Sequence, residues 1–210
     1  MHERTADRIL GESWERYAQE EIAHAGEGHP GRDEVVETFG EPARFEEVVF
    51  PFGTQWPGLA AAPAGPWADA GQLAERALAG LMEQADDEAD DDDEGEREMA
   101  LLERAYRGAD LPALAEERGL EGCWPFDMAE MCTVLRSWEE RFGIRLIGLE
   151  DDRVTVSVAA PVTTMAEAEA IAAEHFAFAP DNITQGWDET LGAYAANQIL
   201  GKQVWSFWWD

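Results

Sequence analysis

The chain has 210 residues and a formal net charge of −30, from 45 acidic residues against 15 basic ones, of which only Lys202 is lysine. That balance repels nucleic acid and anionic membrane surfaces, both of which are held through clustered Lys and Arg, and leaves a basic protein as the partner that electrostatics favours. Cys123 and Cys132 supply neither a disulfide framework nor a zinc spacing, and the N-terminus is charged from its second residue with no apolar run of spanning length, so a cytoplasmic protein is expected.

Residues 3–24 place Leu10, Trp14, Tyr17, Ala18 and Ile22 at helical spacing, opposite Glu12, Glu15, Arg16 and Gln19. The pattern predicts an amphipathic helix that needs a surface to pack on. AGEGHPGRD (25–33) stops it. His24 and His29 straddle a helix end and a glycine-rich loop, a spacing that does not build a metal centre. EVVETF (34–39) and RFEEVVF (44–50), split by Gly40-Glu41-Pro42, predict two short strands or a hairpin. In the Pro/Gly loop that follows, Trp56 and Trp67 either pin the loop to the core or contact a ligand.

A second helix is predicted over 69–83, with Leu73, Ala77 and Leu81 on one stripe. It runs into EQADDEADDDDEGERE (83–98), which holds 11 acidic residues and one arginine. Read as a calcium loop from Asp90, the run offers Asp92 and Gly95 in register, but Leu101 stands where the closing glutamate belongs. A solvated linker is the expectation, dividing the chain into a helical and short-strand region at 1–84, the acidic linker at 85–97 and an α+β domain at 98–210.

Residues 97–107 and 110–118 predict two further short helices, the second ended by Gly119. Asp127 and Glu130 form a capping box ahead of Met128, Met131, Leu135, Trp138 and Phe142, which share one helical face up to Gly143. Cys132 lies beside that face. IRLIGLE (144–150), the turn Asp151-Asp152 and RVTVSVA (153–159) predict a hairpin whose first strand is apolar on both sides and whose second buries Val154, Val156 and Val158.

Thr164 and Glu167 repeat the capping box and open a helix over 165–178, with Met165, Ala168, Ile171, Ala172 and Phe178 inward and His175 on or beside that face. APDNITQGWD (179–188) reads as a loop in which Asp181 and Asn182 satisfy local backbone groups, and Asp188 as the cap of a last helix over 189–200. In the terminal KQVWSFWWD, Trp205, Phe207 and Trp209 alternate with Val204, Ser206 and Trp208. So apolar a strand is expected inside the sheet. The fold class is therefore α+β, an antiparallel or mixed sheet packed by helices, with a mostly helical N-terminal region.

ADLPALAEERG, VLRSWEERFGIRLIGL, the hairpin to SVAAPVTT, AEHFAFAPDNI and the terminal VWSFWWD occur in an order that resembles a bacterial family, the domain of unknown function numbered four-two-five-three. The resemblance covers about 109–210 and implies a fold unit and a bacterial cytoplasmic setting, without a reaction, cofactor or catalytic residue. Ala179 stands where that family often carries cysteine, so no thiol role carries over to this position.

No G-x-S-x-G, H-E-x-x-H, Walker or dinucleotide motif is present, and no cofactor is implied. The charge and the loop tryptophans point to a non-catalytic, immunity-like module that masks a basic protein, with Asp181, Asn182, Trp187, Trp205, Trp208 and Trp56 as candidate binding residues. The alternative is a small hydrolase in which His175 acts as base beside Asp181 or Glu174 in a Trp-lined pocket. That chemistry requires His175 to be reachable by substrate.

Overall fold

A computed structural model describes residues 4–24, 43–64, 67–88 and 100–210. Its centre is a four-stranded antiparallel sheet in the order β1 (Leu101–Tyr106), β2 (Arg145–Leu149), β3 (Arg153–Ser157), β4 (Val204–Trp208). The helices are α1 (Ala6–His24), α2 (Phe45–Val48), α3 (Ala70–Glu88), α4 (Leu111–Arg118), α5 (Met128–Phe142), α6 (Met165–Phe178), α7 (Asp181–Thr184) and α8 (Leu191–Tyr194), the last widening into a π turn over Ala195–Ile199. This is the α+β class that the sequence implies.

α5 and α6 cover one face of the sheet, with Trp138, His175 and Phe178 against Phe207 of β4, and α1 packs on the outer side of that pair. Both long helices start where the sequence places them: Asp127 and Thr164 accept the backbone N–H of Glu130 and Glu167, and each glutamate reaches back to its cap. Met131, Leu135, Trp138 and Phe142 then bury one stripe of α5 against Val154, Val156, Trp205 and Phe207 in a single core that also takes in Leu10, Trp14, Phe45 and Ala60. Met165, expected inward, is at the surface. On the other face α3 lays Ala74 and Leu78 over Ile147. Thr155 and Ser157 are buried there too, so β3 is covered on both sides rather than one.

Four further sequence expectations are corrected. The stretch 44–50 is not a strand: Phe45–Val48 is a helical turn, capped by the Glu47 carboxylate on the Arg44 N–H at 3.0 Å, with Phe45 and Val49 buried one turn apart. Two glutamates in its first turn suit a helix start. The stretch 97–107 is not a helix over its described part: Leu101–Tyr106 pairs with β2, because the ladder outweighs the helical propensity of its Ala, Leu, Glu and Arg. Asp188 does not cap the last helix; Thr190 does, its hydroxyl accepting from Ala193 N–H at 3.3 Å. Finally, β4 is an edge strand rather than an interior one. Its alternation is as read, with Trp205, Phe207 and Trp209 inward. What covers its open side is a side chain, described below. The expected strand at 34–39, most of the acidic run and the side chains of His24 and His29 lie outside the described residues.

Candidate functional site

The open edge of β4 is closed by Asn182 on α7. Its Nδ2 donates to the Ser206 carbonyl at 2.6 Å and its Oδ1 accepts the Trp208 N–H at 2.9 Å, the pattern a neighbouring strand would offer. Beside it, Asp181 accepts the Asp210 N–H at 3.1 Å. The second Nδ2 hydrogen goes to the Tyr194 hydroxyl at 3.1 Å. The same hydroxyl lies 3.2 Å from His175 Nδ1 and holds the imidazole on that side. One carboxamide thus orients a tyrosine, which orients a histidine.

His175 is fully buried, its ring 4.6 Å from Trp205, 4.7 Å from Phe207 and 5.3 Å from Trp138. Burial first, and Arg141 second, hold its pKa down to about 3. A base sealed beneath these rings is out of reach of a substrate. Neither proposed acid partner assists it: Asp181 is engaged at the chain terminus, and Glu174 is bound elsewhere.

Glu174, fully buried, takes both prongs of the Arg141 guanidinium at 2.6 Å, the Trp138 indole N–H at 2.8 Å and the Ala60 N–H at 2.8 Å, while Arg141 donates to the Ala60 carbonyl at 2.9 Å. The cluster is a structural clasp between the N-terminal segment and α5 and α6. Trp56 serves the same junction. Its indole donates to Asp7 at 2.9 Å and packs 5.8 Å from Trp14, and a side chain at Gly11 would meet it at 3.0 Å.

Trp187 stands apart from all of these, with a relative exposure of 102%. The loop that presents it is held at both ends. A Cβ at Gly186 would fall 2.2 Å from the Asn182 carbonyl, so only glycine lets the chain pass there. On the other side, Asp188 accepts from Asn197 at 2.6 Å and from Gln198 at 3.0 Å, consecutive carboxamides on the π turn. Glu189 follows at φ 56°, a left-handed conformation that a non-glycine residue adopts only under constraint. Thr190 then caps α8.

The surroundings of this loop are acidic. The Tyr17 phenol, which bonds Thr184, is pushed up to about 12 by burial, then by Glu21, with smaller contributions from Asp181 and Glu20, so the C-terminal part of α1 and the start of α7 share one negative field. Of the residues chosen from sequence, the structure brings Asp181, Asn182 and the backbone of Trp208 together. Trp205 lies in the core under His175, Trp208 is half-buried on the opposite sheet face, and Trp56 belongs to the N-terminal junction. They do not line one pocket. Gly186, Asn197 and Gln198, which sequence reading missed, carried one hint: a glycine next to a tryptophan in a polar loop.

Among the described residues no helix is long and apolar enough to cross a membrane. Searches of curated proteins and of solved structures found no match. The family model described as Domain of unknown function (DUF4253) matches residues 99–210, the span that contains the sheet, α5, α6 and the Asn182 edge closure. The chain belongs to the DUF4253 family.

Proposed function

We propose that the protein is a non-catalytic, acidic interaction module of the cytoplasm that binds a basic protein through the Trp187 loop. The observation that carries the reading is a fully exposed tryptophan on a loop locked from both sides. Leaving so large an apolar ring in water has no benefit to folding, and holding its backbone in place lowers the entropy lost when a partner covers it. Asp188 and Glu189 follow Trp187 directly in the chain, and the net charge is −30, so a basic surface would be steered towards the anchor.

The test is capture of partners from a lysate of the source organism by the wild-type chain and by Trp187→Ala. The reading expects a basic protein that elutes with rising salt and is lost from the variant. Identical capture by both chains, or a captured partner that is acidic, would overturn it.

A further inference from the structure

Three of the 15 basic residues of this chain, Arg104, Arg107 and Arg145, line one cleft of about 470 Å³ between β1, the start of β2 and α4. Its remaining walls are Tyr106, Ala105, Ala113 and Leu114, with Asp110 and Glu117 at the side. None of the sequence-selected residues and no part of the Trp187 loop contributes, so the cleft is independent of the protein-binding reading.

Its guanidiniums are set in place from behind. Glu139 of α5, with a side chain 13% exposed, accepts from Arg145 at 3.1 Å and lies 3.8 Å from Arg107 Nε. The same carboxylate accepts the Gly108 N–H. That contact needs glycine, because a Cβ at position 108 would stand 2.6 Å from Leu135 Cβ and push the 3-10 turn Gly108–Asp110 off α5. Asp110 in turn accepts the Arg107 N–H at 2.9 Å, which fixes the backbone from which that arginine projects. Arg104 lies 4.5 Å over the Tyr106 ring, forming a flat cationic and aromatic wall.

Arg107 and Arg104 keep their charged ends exposed, and guanidiniums oriented by a carboxylate behind them are the arrangement that receives an oxyanion through paired N–H donors. Asp110 and Glu117 oppose a highly charged ligand, which argues for one anionic group rather than a polyphosphate. The alanines, Leu114 and the Tyr106 ring provide an apolar, planar surface for the rest of the molecule. We propose that this cleft binds a small molecule carrying a single oxyanionic group, a carboxylate or a phosphate monoester, on a flat apolar body.

The test is a titration of the full chain, observed by backbone amide NMR, with benzoate, inorganic phosphate and, as the uncharged control, benzamide. Signals within residues 104–117 and at Arg145 should move with an anionic probe and not with benzamide. Saturation by benzoate assigns a carboxylate ligand and saturation by phosphate a phosphorylated one. Arg104→Ala and Arg107→Ala, both at exposed positions that leave the fold intact, should each weaken binding about ten-fold or more, while Arg16→Ala on α1 leaves it unchanged. The proposal is overturned if neither anion moves these signals, if benzamide moves them equally, or if the two arginine variants bind as the wild type does.

Discussion

Glu174 and Arg141 meet through two parallel 2.6 Å contacts at the point where the N-terminal segment is fastened to the sheet domain. The pair is worth more broken than made, since removing one partner leaves the other charged and buried. Glu174→Gln is expected to cost about 3–5 kcal/mol, lowering Tm by roughly 10 °C. It should also release the Ala60 loop, seen as faster amide exchange at Ala60. Thermal unfolding that matches the wild type would show that the ion pair contributes nothing.

Removing the Asn182 carboxamide opens the edge of β4. Asn182→Ala should destabilise by about 2–3 kcal/mol, from the Ser206 carbonyl and Trp208 N–H left without partners. It should also promote concentration-dependent association through the bared strand. Chemical denaturation and light scattering measure the two effects separately.

How much of this was legible beforehand follows from the range of each signal. α5, α6 and the β2–β3 hairpin are written in caps and periods that span a few residues, and all three stand where they were read. β1 was misread because its local preference is helical and only β2, forty residues on, makes it a strand. The edge closure, the Glu174 clasp and the arginine cleft each join residues distant in sequence, so no window contains them. One trace was present: Glu174 falls between Ile171 and Phe178 on the apolar face of α6, and a carboxylate there requires a buried partner.

Stability should fall with acid through His175. The imidazole is neutral when folded, with a pKa near 3, and titrates near 6.5 when unfolded, so between those values the unfolded chain binds the extra proton. Its contribution is complete above pH 6.5 and is lost as pH falls, by up to about 1.4 kcal/mol per pH unit. His175→Gln should flatten the wild-type slope between pH 6.5 and 5, measured by urea denaturation. Parallel curves for the two chains in that window would refute the assignment.

Trp187→Ala should leave folding stability within about 0.5 kcal/mol of wild type, since the side chain touches solvent only. Gly186→Ala should not be neutral. Its new methyl group has to displace the Asn182 backbone, so a loss of about 1–3 kcal/mol is expected, together with altered amide shifts at Asp188. Equal Tm values for the two variants would mean the loop is not anchored at Gly186.

The placement of α1 on the outer side of α5 and α6 has a consequence for how the protein is made. At roughly 5–20 residues per second, α1 leaves the ribosome on the order of ten seconds before the last turn of α6 exists. Throughout that interval Leu10 and Trp14, later sealed from water, have only the segment from Phe45 to Ala60 to pack on, without the cover of α6. The amino-terminal stretch is therefore where a ribosome-bound chaperone would grip this polypeptide, and where a shortage of such help would first appear as failed yield.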